Sequence, residues 1–126
     1  AAVAALALGI WAVSLSNQLD TEREARRGQP RVFPVSGTNG RLVVAPTGEA
    51  FLLLAGLERA PRGKTYEAWV IEDGAAQPAG LFEGGERTAV ALARPVPEGA
   101  TVAVTLERAG GVPAPTGQPL FTAKAA

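Results

Sequence analysis

Two patterns of hydrophobic and polar positions divide the chain. Residues 1–19, AAVAALALGIWAVSLSNQL, carry no charge. After Pro30 the apolar positions come in short runs, alternating or continuous, separated by Gly, Pro, Asn and Asp and showing no helical period. The second region predicts strands at Arg31–Ser36, Arg41–Ala45, Ala50–Ala55, Thr65–Glu72, Gln77–Phe82, Arg87–Leu92, Thr101–Glu107 and Leu120–Ala123. Pro34 confines the first to an edge or a bulge. Asn39-Gly40 predicts a tight turn before the second.

The densest β-forming run is Thr65-Tyr66-Glu67-Ala68-Trp69-Val70-Ile71-Glu72, read as following a type I turn at Pro61–Gly63. Alternation sends Tyr66, Ala68 and Val70 to one face and Glu67, Trp69 and Ile71 to the other. Apolar residues on both faces from Ala68 onward predict a central strand. In Thr101–Glu107, Val102, Val104 and Leu106 oppose Ala103, Thr105 and Glu107, which predicts a half-buried strand. The expected core contains Tyr66, Trp69, Ile71, Phe82, Val104 and Leu106. Gly63, Gly80, Gly110, Gly111 and Gly117 are expected at structural turns. Pro61-x-Gly-x-Thr65 is echoed by Pro97-x-Gly-x-Thr101. The echo fits equivalent corners of a sandwich and equally fits a coincidence of common turn chemistry. The fold class predicted is all-β, an antiparallel β-sandwich of seven or eight short strands over 32–124, preceded by a single truncated transmembrane and stalk helix.

As a helix, 19 residues span about 28 Å, close to the ~30 Å hydrocarbon core of a bilayer. Three readings share this composition: the latter part of a transmembrane helix, the apolar region of a signal peptide, and a soluble helix. The run passes without a break into Leu19-Asp20-Thr21-Glu22-Arg23-Glu24-Ala25-Arg26-Arg27, with Glu22 four residues before Arg26. That favours a spanning helix leaving the membrane as a charged stalk, residues 20–31, ended by Gly28-Gln29-Pro30. Arg23, Arg26 and Arg27 alone would point this flank to the cytoplasm, but the rule compares two flanks and only one is in the sequence. The chain contains no Met, so Ala1 is read as an internal position of a longer protein.

Composition narrows the chemistry. Lys+Arg and Asp+Glu number 12 each, for zero net charge, and the basic residues do not cluster beyond the stalk. Nucleic acid is therefore not expected as a partner. Cys and His are absent, which removes disulfides, thiol nucleophiles, the usual zinc sites and His-dependent triads. No cofactor, metal or catalytic residue is expected. Glu72-Asp73 and Glu83-x-x-Glu86 read as solvated turn residues and Lys64 as a surface lysine. A catalytic reading would need Glu72, Asp73 and Glu107 to converge. Because Tyr66 and Trp69 take opposite parity, they cannot share one platform with Phe82 on a regular strand.

Several stretches, taken in order, resemble the C-terminal, extracytoplasmic domain of bacterial anti-sigma-K factors. They are Gly56-Leu57, Gly63-Lys64-Thr65-Tyr66-Glu67-Ala68-Trp69-Val70-Ile71, Ala79-Gly80-Leu81-Phe82, Ala103-Val104-Thr105-Leu106-Glu107, Gly110-Gly111 and Pro115-Thr116-Gly117. Arg108-Ala109 departs from the Glu-Pro expected before the loop. The resemblance implies a membrane-anchored negative regulator of an extracytoplasmic-function sigma factor, with residues 1–19 in the cell membrane and 20–126 on the extracytoplasmic side. The sigma factor would be bound only through an N-terminal domain that this sequence does not contain. Release would proceed by site-1 and site-2 type proteases, the first cut falling in the stalk around Gln18, Leu19, Asp20, Thr21, Ala25 and Gly28. The alternative is a tethered or secreted β-sandwich module binding glycan, peptide or an envelope protein.

Overall fold

Residues 28–126, the part that the computed structural model describes, form eight strands. They are β1 (Arg31–Pro34), β2 (Asn39–Val44), β3 (Ala50–Leu57), β4 (Lys64–Glu72), β5 (Ala75–Phe82), β6 (Gly85–Ala91), β7 (Thr101–Arg108) and β8 (Phe121–Lys124). Two four-stranded antiparallel sheets result, ordered β1-β2-β3-β6 and β5-β4-β7-β8. The all-β, two-sheet class matches the sequence expectation. The apolar run and most of the stalk lie outside the described residues. Among those described, no helix is long and apolar enough to cross a membrane.

The core follows from the period of two. Leu42, Val44, Leu52 and Leu54 of the first sheet face Tyr66, Ala68, Val70, Val102 and Val104 of the second, and all are buried. Ala79 joins them through a bulge in β5, where the register with β4 shifts between Ala68 and Trp69. Tyr66 stacks on its cross-strand partner Phe82 with ring centroids 5.3 Å apart, and its hydroxyl donates to the Glu58 carbonyl at 2.7 Å. Phe82 and Leu106 are half-buried against this core, and Ile71 is half-buried at the end of β4. Trp69 is fully buried, but on the other side of the sheet.

Several local expectations are corrected. Asn39-Gly40 opens β2 rather than turning. The reversal falls at Gly37 (φ +99°), beside Ser36, which exchanges backbone hydrogen bonds with Thr122 and stitches the two sheets together. A Cβ on Gly40 would lie 2.6 Å from Leu54 Cδ2 and 2.8 Å from the Leu53 carbonyl, so close strand packing requires the glycine there. Gly80 sits inside β5 at the bulge, not in a turn. Gly117 has open space around it, so nothing packed nearby demands a glycine. The Pro61 turn closes from the Lys64 N–H to the Pro61 carbonyl with Gly63 at φ +82°, which is a type II turn rather than type I. Pro97–Ala100 repeats it, with Gly99 at φ +86°. The two turns start β4 and β7, which run antiparallel side by side, so the sequence echo marks corresponding corners at opposite ends of one strand pair.

Candidate functional site

β7 is not half-buried. Ala103, Thr105 and Glu107 on its outward side are as inaccessible as Val102 and Val104 on its inward side. On β4, Glu67 and Trp69 also point outward and are buried. The cover is the chain between β7 and β8, residues 109–120, which crosses this face as a strap. It leaves β7 with the Ala109 N–H bonded to the Gly63 carbonyl and reaches Gly111 beside Leu81 and Glu67. It returns where the Leu120 N–H bonds to the Val104 carbonyl. Gly110 (φ +93°) and Gly111 (φ +80°) permit the reversal that starts this path.

The strap is fastened by two carboxylates rising from the sheet. Glu67 Oε1 accepts the Val112 N–H at 2.8 Å. Glu107 accepts three hydrogen bonds: the Thr105 hydroxyl at 2.7 Å and the Thr116 N–H at 3.2 Å on Oε2, and the Thr116 hydroxyl on Oε1. The Thr105 hydroxyl in turn accepts Trp69 Nε1–H at 2.8 Å. Trp69, Thr105, Glu107 and Thr116 thus form one connected network from indole to strap, with donation converging on the Glu107 carboxylate from both ends. No buried side-chain nitrogen or oxygen among the described residues lacks a partner. Burial pushes the Glu107 carboxyl up. The side-chain hydrogen bonds from Thr116 and Thr105, the Thr116 N–H and the Lys64 charge outweigh it, leaving the group below the usual carboxylate range. An ionised, donor-saturated carboxylate is a fastener.

This polar group escapes a reading by motif. Glu67 and Glu107 look like the outward residues of strands with one wet face, and nothing in the local pattern announces a cover, whose contact is 45 residues away for Glu67 and 9 for Glu107. One signal was present: a carboxylate inside the densest β-forming run of the chain needs partners if it is buried. The stretches that carry the family resemblance also converge here, since Glu67-Ala68-Trp69, Thr105-Leu106-Glu107, Gly110-Gly111 and Pro115-Thr116-Gly117 are the parts of the strap and its anchors. By contrast, Glu72 and Asp73 are exposed at the far end of β4. The pairing Lys64↔Arg108 and Ile71↔Thr101 puts them at the opposite end of the strand pair from Glu107, roughly 25 Å away at ~3.4 Å per residue. Glu83 and Glu86 are exposed as well.

Comparison with known proteins agrees with these residues. The chain is 34% identical over 86 residues to the "Uncharacterized protein in phr 5'region" of Streptomyces griseus, covering 67% of this chain and 36% of that protein. It therefore spans about a third of the length of that relative. No solved structure matches it. The family described as "Anti-sigma-K factor rskA, C-terminal" matches residues 1–120, which takes in every strap contact and the apolar run. With the match covering nearly its whole length, the chain belongs to the C-terminal family of anti-sigma-K factors.

Proposed function

We propose that residues 32–124 are the extracytoplasmic regulatory domain of a single-pass, membrane-anchored anti-sigma factor, and that the domain governs access of a protease to its own stalk. Binding of an extracytoplasmic-function sigma factor is assigned to parts of the longer protein outside this chain. Residues 1–19 would serve as the anchor, and an intramembrane cut would follow the first cut in the stalk.

The observation that carries this reading is where the stalk joins the fold. It runs directly into β1, a four-residue edge strand whose Arg31, Val32 and Pro34 are exposed and which pairs on one side only, with β2. Arg31 is held at this junction by an exposed contact with Glu98 at 3.8 Å and by its position over the Phe33 ring. An exposed ion pair contributes ~0–1 kcal/mol. The junction is therefore weakly secured, in a domain whose outer face over β4 and β7 is strapped down. Displacing β1 would lengthen the accessible stalk without unfolding the sandwich.

Cleavage mapping by mass spectrometry on the membrane-inserted protein tests this. The first cut is expected within Gln18–Arg31, and replacing Val32 with Pro, to weaken β1, should accelerate it. A first cut within 32–124 refutes the reading.

A further inference from the structure

The two sheets differ in what lies on their outer faces. The strap covers one. The outward residues of the other, read from the strand register, form rows across all or most of the sheet. Val32, Val43, Phe51 and Ala91 make one row, Pro34, Arg41, Leu53 and Ala89 the next, and Asn39, Ala55 and Arg87 a third. Val32, Phe51 and Leu53 are 53%, 43% and 44% exposed. An antiparallel sheet with one wet face ordinarily turns polar residues outward. Here the outward positions are mainly apolar, and the charged ones are two arginines with no carboxylate among them. A contiguous exposed apolar patch marks a surface that meets something.

The chain itself restricts what that is. Val32, at the head of the first row, follows directly on the stalk. Only the 11 residues Asp20–Pro30 separate the uncharged run from Arg31, a reach of at most ~40 Å at ~3.3–3.6 Å per residue. With the run in a bilayer, as the proposed function holds, this face stays at high effective concentration beside the lipid surface. A second copy is a poor fit: pairing the face with itself would bring arginines together with no carboxylate to meet them. Lipid phosphates supply the missing negative charge.

We propose that the outer face of β1-β2-β3-β6 rests on the anionic surface of the membrane that anchors the chain. Val32, Phe51 and Leu53 enter the interfacial region, and Arg41 and Arg87 lie against lipid phosphates. The inference rests on the anchored reading. It gives the domain a docked state in which the outward side of β1 lies against the bilayer.

The absence of cysteine allows single reporter sites. The whole chain, carrying Ala89→Cys on this face or Ala75→Cys on β5 of the other sheet, is labelled with a polarity-sensitive fluorophore. It is then reconstituted into phosphatidylcholine vesicles with or without phosphatidylglycerol. The label at residue 89 should be quenched by acrylamide several-fold less than that at 75 when phosphatidylglycerol is present. Arg41→Gln and Arg87→Gln should each reduce the docked-to-undocked ratio about fivefold, the equivalent of ~1 kcal/mol per basic residue near an anionic surface. Equal quenching at the two sites overturns the proposal. So does protection of residue 89 that persists in detergent micelles: cross-linking between two chains through residue 89 would then identify a second copy as the cover, and protection without it the chain's own apolar run. Flotation in alkaline carbonate separates the two levels. A chain stripped from the vesicles overturns the anchored reading and this one with it. A chain that floats with both labels equally quenched overturns only this one.

Discussion

Glu107→Gln changes one heavy atom at the fastening of the strap to β7. The carboxylate holds three donors, from Thr105 and from the backbone and side chain of Thr116. Glutamine keeps one acceptor oxygen. Its best arrangement sets that oxygen where Oε2 was, retaining the Thr105 hydroxyl and the Thr116 N–H, and turns the amide N–H toward the Thr116 hydroxyl, which must rotate to accept. Hydrogen bonds to a charged group contribute ~1.5–3 kcal/mol and neutral ones ~0.5–1.5. Three weakened bonds, offset in part by no longer burying a charge, leave a net loss of about 2 kcal/mol. For a domain of this size ~1 kcal/mol shifts the melting temperature by ~4–8 °C, so a fall of roughly 8–16 °C is expected at pH 7. The pH profile is the sharper test. The folded-state pKa of Glu107 is depressed. Its contribution is therefore present above the unfolded value of ~4.3 and is lost as pH falls through the folded value. Thermal melts at successive pH values from neutral down to strongly acidic should show that acid-side loss in the wild type and a flatter profile in the variant. Following Trp69 fluorescence in a Trp11→Phe background reports the strap itself. An unchanged melting temperature at pH 7 together with an unchanged acid limb would refute the assignment of Glu107 as the fastener.

Trp69→Ala should cost ~3–5 kcal/mol from lost burial and the cavity left behind. Trp69→Phe should cost less, mainly the bond to Thr105; urea denaturation orders the two, and a Trp69→Ala protein with an unchanged midpoint would show that the strap closes without the indole. Tyr66→Phe removes the hydroxyl donated to the Glu58 carbonyl and should cost ~1 kcal/mol near neutral pH. Burial, and then the Glu58 charge, raise the Tyr66 pKa. The neutral phenol thus stabilises the fold fully below its unfolded value of ~10, and that stabilisation is lost as pH rises through the folded value. An alkaline denaturation limb present in the wild type and weakened in Tyr66→Phe is the expected result; identical limbs would contradict it.

Strand number, strand class and the central place of β4 were legible from the sequence because they are local. A period of two, a turn residue at each break and apolar side chains on both faces of Ala68–Ile71 need no knowledge of distant chain. The parity of Tyr66 and Trp69 was legible for the same reason, and the structure puts one between the sheets and the other outside them. What tertiary structure decided was which second faces are covered. Alternation separates two sides of a strand but does not say what lies against each. Glu67, Thr105 and Glu107 have the sequence of a wet face and are buried, because a Gly/Pro-rich connection more than 40 residues from Glu67 folds back over it and supplies N–H and hydroxyl donors. Phe51 and Leu53 have the sequence of a core strand and are exposed, because only Leu52 and Leu54 of that run meet the opposite sheet. Burial of a carboxylate becomes favourable only when its partners arrive, and exposure of a leucine is recognised only when no neighbour does. Both are relations between different segments of the chain, which the periodicity within one strand does not encode.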